Sequence, residues 1–205
     1  KGVKVHYVPQ YRYDNIFFME KLLGIKHTKV NEKASNKLIK SIIKQRSIKT
    51  DEEIVEIEKA IETSYLMNTT AMKLMKPGLI EREVFGEVEG IALSKGNGVS
   101  FPIIFSVNGQ ILHNHAHENI MQEGQIAVLD SGAETMMGYA SDITRTIPVS
   151  GKFTDKQKAI YNIVLDSQIK AMEMMKPDVK FKDVHLAAAK IIAAGLKELG
   201  IMKGN

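Results

Sequence analysis

Apolar positions along the chain change period several times, and each change marks an element. Over residues 36–46, Leu38, Ile39, Ile42 and Ile43 recur at helical spacing and predict an amphipathic helix. Thr50-Asp51-Glu52-Glu53 has the form of a capping box, with Thr at the N-cap and Glu three residues on. Ile54, Ile57, Ile61, Tyr65, Met72 and Met75 follow as a helical stripe, with the Met residues as core filler, and Lys76-Pro77-Gly78 stops the helix. A second helix is predicted over 81–95, ending at Gly96-Asn97-Gly98. Residues 101–107, the turn Asn108-Gly109 and residues 110–113 read as strand, turn and strand. Residues 126–130 are nearly all apolar, which predicts a short strand buried on both faces, and 139–149 return as its partner. Thr154-Asp155-Lys156-Gln157 is a second capping box, opening a helix to 176, and a further helix covers 182–199. Residues 1–18 have short apolar runs without a period.

A repeat organises these elements. Ala71-Met72-Lys73-Leu74-Met75-Lys76-Pro77 recurs as Ala171-Met172-Glu173-Met174-Met175-Lys176-Pro177, and Val84 matches Val184 at the same offset. Both copies sit where a capped helix ends at Lys-Pro and another begins, the pattern of two halves related by duplication. The first half continues into strands, and the second stops at Asn205 after its helix pair. The expectation is therefore an incomplete second half.

Composition narrows the chemistry. The chain has 205 residues, 44% hydrophobic and 25% charged, which suits an ordinary globular protein. No apolar run is long enough for a membrane helix, and the first residues lack the apolar core of a signal peptide. There is no cysteine, which excludes disulfides, thiolate metal sites and cysteine catalysis. A metal would be held by Asp, Glu and His, ligands that suit manganese, cobalt, zinc or magnesium. Residues 1–50 carry 12 Lys and Arg against 3 Asp and Glu. A basic arm of this kind can bind nucleic acid, yet it has no Gly/Arg repeat or zinc-finger spacing, so a solvated surface is the reading adopted. No nucleic-acid partner and no membrane partner is expected, and the cytoplasm is the expected compartment.

The chemical signal lies in Leu129-Asp130-Ser131-Gly132-Ala133-Glu134 and Ser141-Asp142-Ile143-Thr144-Arg145-Thr146. Pairing that sets Asp130 opposite Asp142 would hold two carboxylates on one face of a half-buried sheet, where they repel. A shared proton, an arginine or a metal would compensate. Arg145 is the candidate arginine, although alternation puts it on the other face, with Thr144 on the face of Asp142 and free to hydrogen-bond a ligand carboxylate. His113, His115 and His117 would share one face of a strand, where they could chelate a metal or form a polar edge with no role.

Read together, LHNH at 112–115, LDSGAE at 129–134 and SDITRTIPVSGKFTDKQKAIY at 141–161 resemble the Xaa-Pro aminopeptidases and prolidases, which are pita-bread metallopeptidases. KPGLIEREV at 76–84 and IKTDEEIVEIEKAI at 48–61 are similar to their equivalents there. The resemblance spans about 44–204. It implies an α/β chain (α+β type) with the pita-bread fold, a pseudo-two-fold repeat of helices on an antiparallel sheet. Residues 1–46 would be the last part of an N-terminal creatinase-like domain, and 47–205 the first part of the catalytic domain.

By the same resemblance, Asp130 and Asp142 are metal ligands, the second bridging two divalent ions, and His113 contacts substrate. The ions would be manganese, with cobalt or zinc as alternatives, and Thr144 would support the ligand carboxylates. The remaining ligands would lie downstream of this chain, leaving the fragment inactive with weak or no metal binding, and His185 would be structural. The implied reaction is metal-assisted hydrolysis of the bond between an N-terminal residue and proline, in peptides or dipeptides, by a homodimer. A metal-free pita-bread binding protein and a creatinase-type hydrolase are the alternatives. One departure stands out: Asp130 and Asp142 are one residue further apart than is common in the family, which predicts a longer hairpin tip around 135–137 or a bulge.

Overall fold

The chain divides after Val55 into two units, and the computed structural model describes residues 4–204. The first unit holds helices α1 (Tyr13–Leu23), α2 (His27–Val30) and α3 (Asn36–Ser47), with a 3-10 turn at Asn31–Lys33. Its interior is small. Among its described residues Tyr7 and Val30 are the buried apolar side chains, and the Tyr7 hydroxyl donates to the Val30 carbonyl at 2.8 Å. Helix α1 appears where the sequence has no period, because its large side chains, Phe17 and Phe18 among them, stay exposed and leave no buried stripe to read. Gly24, at φ 65°, ends it in a left-handed cap.

Helix α4 (Asp51–Leu74) crosses the division, and α5 (Glu81–Lys95), strands β1 (Ile104–Ser106), β2 (Ile126–Ser131) and β3 (Ile143–Pro148), and helices α6 (Asp155–Met174) and α7 (Phe181–Glu198) follow. Both capping boxes form. Thr50 Oγ1 accepts from the Glu53 N–H at 3.3 Å while Glu53 Oε2 accepts from the Thr50 N–H at 2.8 Å. Thr154 and Gln157 make the same reciprocal pair at 3.3 and 2.9 Å. Each satisfies two backbone donors that a helix start otherwise leaves orphaned.

The strands form an antiparallel sheet in the order β1-β2-β3. Met67 and Ala71 of α4 and Val88 and Ala92 of α5 pack against Phe105 and Leu129 on one face of it. This corrects two expectations. Strand β2 is not buried on both faces: Ala127, Leu129 and Ser131 are buried, while Ile126, Val128 and Asp130 on the other face are only half-buried. In α4 the conspicuous stripe is not the packed one, since Ile54, Ile61, Tyr65 and Met72 are exposed. The packed face is Ala60, Ser64, Met67, Asn68 and Ala71, whose small side chains let the helix lie close to the sheet. Met67 of this helix and Met75, the residue just past its end, are the buried methionines here.

Residues 110–113 form a turn rather than a second strand, and β1 takes β2 as its partner instead. Gly109 lies close against β2 at the start of this turn, where a Cβ would stand 2.7 Å from a Val128 methyl.

The repeat is physical. Helices α4 and α6 end at Leu74 and Met174, and α5 and α7 begin at Glu81 and Phe181. Between them Gly78 and Asp178 hold the same left-handed backbone, at φ 93° and 68°, and Val84 and Val184 are both buried. Helix α7 lies close on α6, since a Cβ at Gly195 would meet Ile163 at 2.6 Å.

Candidate metal centre

The register of the hairpin determines which side chains meet. Asp130 pairs with Thr144, not with Asp142. The same register continues past the ladder, with the Ser141 N–H donating to the Ala133 carbonyl at 3.0 Å and Glu134 bridging Ala140. No bulge interrupts it. The tip is the turn at 135–139, where Gly138 takes φ 79° and the Thr135 N–H donates to the Tyr139 carbonyl at 2.8 Å. The expected pairing is therefore two residues out. A slip of two returns every side chain to its own face, so Asp142 still shares the face of Asp130, now as its diagonal neighbour.

The two carboxyls do meet. Burial pushes the Asp142 carboxyl above the usual carboxylate range, the neighbouring charge of Asp130 pushes it the same way, and a hydrogen bond to Asp130 adds to both. Thr144 Oγ1 donates to Asp130 Oδ1 at 2.8 Å, and the Arg145 guanidinium donates to the Thr144 carbonyl instead of to a carboxylate. No Lys, Arg or His forms an ion pair with Asp130 or Asp142 among the described residues. Two adjacent carboxylates without a protein cation form an oxygen donor set that fits a divalent ion. Among the described residues no cluster of three or more His, Asp or Glu side chains forms, so this chain contributes a pair.

Beneath the pair runs a buried polar network that the apolar pattern does not announce. Ser141 Oγ lies 2.7 Å from Ser64 Oγ and 2.9 Å from the Ala60 carbonyl, and it accepts the Ala133 N–H at 3.1 Å. Ser100 Oγ donates to the Ser141 carbonyl at 2.7 Å. Asn68 Nδ2 reaches Ser131 Oγ at 3.5 Å, and Asn68 Oδ1 is buried with no hydrogen-bond partner. Ser131 and Ser141 adjoin the two aspartates in sequence, so the network fixes the backbone on which both carboxylates stand. Their alternation with apolar β2 neighbours was the available signal.

The histidines are brought near this face, though not as a strand. Gly109 lies on Val128, two positions along β2 from Asp130 on the same face. Asn114 Nδ2 donates to Ser106 Oγ at 3.1 Å, opposite Val128. His113 and His115 are exposed in this loop. His117 points elsewhere: its ring stacks on Phe85 with centroids 4.1 Å apart, and Nδ1 lies 2.9 Å from the Phe105 carbonyl. The three rings do not share a face, and a site of histidines alone is not formed. His185 is exposed on α7.

Comparison with known proteins follows the same chemistry. Metallopeptidase family M24 matches residues 55–203. The chain belongs to that family. The Xaa-Pro aminopeptidase of Escherichia coli is 36% identical over 165 residues, covering 78% of this chain and 37% of the relative. A probable Xaa-Pro aminopeptidase of Coccidioides posadasii is 38% identical over 168 residues, with 78% and 36% covered. The E. coli aminopeptidase P bound to the inhibitor Pro-Leu overlays with a TM-score of 0.74 at 36% identity, covering 78% of this chain and 37% of that one. A Bacillus anthracis structure named for aminopeptidase P reaches 0.81 at 28% identity, covering 98% and 48%. The fold of this M24 chain is thus the pita-bread fold, helices on an antiparallel sheet. The chain spans little more than a third of the length of the curated relatives it matches.

Proposed function

We propose that the whole protein is a metal-dependent Xaa-Pro aminopeptidase and that Asp130 and Asp142 hold its metal ions. The observation that carries this reading is the carboxylate pair on one sheet face, unaccompanied by any ion-paired cation among the described residues, in an M24 chain. The relatives, named as Xaa-Pro aminopeptidases, favour an aminopeptidase over a dipeptidase. In this reading residues 1–46 belong to a creatinase-like N-terminal domain and 47–205 to the catalytic domain. Manganese is the proposed ion, two per site, in a cytoplasmic homodimer.

Bound divalent ions supply a polarised scissile carbonyl and a water acidified enough to attack near neutral pH. The chain's own residues do the rest. Asp130 offers its oxygens from β2 and Asp142 from the residue just before β3, so the hairpin register fixes the spacing between them. Thr144, at 2.8 Å, holds Asp130 in one rotamer and leaves the second oxygen of that carboxylate for a ligand. His113, on the loop over the same face, hydrogen-bonds the substrate carbonyl as charge builds on it.

The test is cleavage of Ala-Pro-Pro by the intact protein with metal content measured in parallel. Asp142→Asn should lower kcat/KM by at least about a hundredfold and reduce the bound metal. Full activity in that variant would refute the reading. A protein of these 205 residues alone should turn over no substrate, since among its described residues the carboxylate pair gathers no third His, Asp or Glu.

A further inference from the structure

Glu81 is fully buried, yet no cation pairs with it among the described residues. Its two oxygens serve one segment. Oε1 accepts the Val107 N–H at 2.7 Å, and Oε2 accepts Asn119 Nδ2 at 3.0 Å. Val107 and Asn119 are the two ends of the loop that carries His113, so a single carboxylate holds both ends of that loop. The backbone around Glu81 reinforces the second end. The Glu81 N–H donates to the Asn119 carbonyl at 3.0 Å and the Arg82 N–H to the His117 carbonyl at 2.9 Å. Glu81 is also the first residue of α5, where the helix's positive end favours an acceptor. Strand β1 adds side contacts between these points: the Asn108 N–H and Asn114 Nδ2 bonds to Ser106 Oγ at 2.9 and 3.1 Å, and His117 Nδ1 at 2.9 Å from the Phe105 carbonyl. Strand β2 adds the contact of Val128 with Gly109, but Glu81 is the side chain that holds both ends.

We propose that Glu81 is a positioning residue: by closing the loop at 107 and 119 it sets where His113 stands over the carboxylate face. This rests on the reading of His113 as a substrate contact. A buried bond from an N–H to a carboxylate is worth more than one to a neutral acceptor, and leaving Val107 without a partner costs the desolvation of its N–H as well.

Hydrogen exchange on the 205-residue chain tests it. Glu81→Ala should raise exchange of the Val107 amide about a hundredfold and loosen residues 108–118 with it, while the amides of β2 and the last two turns of α5 change by less than about threefold. Glu81→Gln should keep Val107 protected, since its amide oxygen still accepts that N–H and Asn119 can turn its own oxygen to the new donor. Asn119→Ala, which leaves α5 untouched, should loosen residues 117–119 and spare Val107. Unchanged loop exchange in Glu81→Ala, an equal rise in β2 and α5, or a Gln variant as loose as the Ala variant would each overturn the proposal. Turnover separates this from the proposed function. In the intact peptidase, Glu81→Ala and His113→Ala should lower kcat/KM without adding together in the double variant. A His113→Ala enzyme of full activity would remove the substrate role and leave the exchange result standing.

Discussion

A single methyl group at Gly132 should open the carboxylate hairpin. Gly132 is buried between Asp130 and Asp142, and a Cβ there would lie 1.8 Å from the Ser141 carbonyl oxygen and 2.3 Å from Ser100 Oγ. The first contact involves backbone, which cannot rotate away. The strands must separate by roughly 1.5 Å to restore ordinary contact. That movement breaks the Ser100 bond to the Ser141 carbonyl, 2.7 Å, and strains the Ser141 N–H bond to Ala133, 3.0 Å. Overpacking costs about 1–3 kcal/mol, and each buried group left unpaired costs about 1–3 kcal/mol more. The lost flexibility of the unfolded chain returns about 0.4–1 kcal/mol. Gly132→Ala should therefore destabilise the sheet by about 1–5 kcal/mol, or roughly one to four orders of magnitude in exchange protection. Hydrogen exchange of peptides covering 126–148 reads this directly and avoids assuming that the two units unfold together. Protection within about threefold of the parent would refute the argument, because no repacking of side chains removes a clash with a carbonyl. Gly138→Ala is the control. It meets nothing closer than 3.6 Å and is disfavoured only by its φ of 79°, so its effect should stay near about 1–2 kcal/mol.

Other outcomes follow from the same geometry. With metal removed by chelator, Asp142→Asn should raise Tm by about 1–2 °C at pH 7 and leave it unchanged at pH 3. The sign follows from the direction of the shift: a folded carboxyl raised by burial and by Asp130 stabilises the fold only while protonated, and that contribution is lost as pH rises through its folded value. Ser141→Ala should cost about 1–3 kcal/mol in the exchange of β2 and β3, because the Ala133 N–H loses its acceptor in a buried site. Asp178→Gly should stabilise the α6–α7 turn by about 0.5–1 kcal/mol, seen as slower exchange at the start of α7, because Asp178 is the non-glycine residue held at positive φ among those described.

Much of the helical frame was legible because its signals act over three or four residues. A Thr that accepts from the N–H three positions on, or a Lys-Pro that ends a helix, needs no distant partner. The repeat was legible for the same reason, since each copy encodes its own helix ends and its own left-handed turn. The aspartates were legible as a pair on one face because strand alternation is also local. Tertiary structure decided the rest. Register was one such matter: pairings of Asp130 with Asp142 and with Thr144 put the same residues on the same faces, so the apolar pattern cannot tell them apart and the turn at 135–139 makes the choice. Helix α4 was another. The stripe of Ile54, Ile61 and Tyr65 is the more apolar, but the buried face is the narrow one of Ala60, Ser64 and Ala71, where Ser64 finds its partner Ser141 in the hairpin. Burial of Glu81 was the third, for a carboxylate in a charged helix start reads as a surface residue until the two ends of a distant loop come to meet it. The sequence by itself determined the helix ends, the duplication and the presence of paired carboxylates. Which atoms face which was decided only when strands and loops far apart in sequence closed on one another.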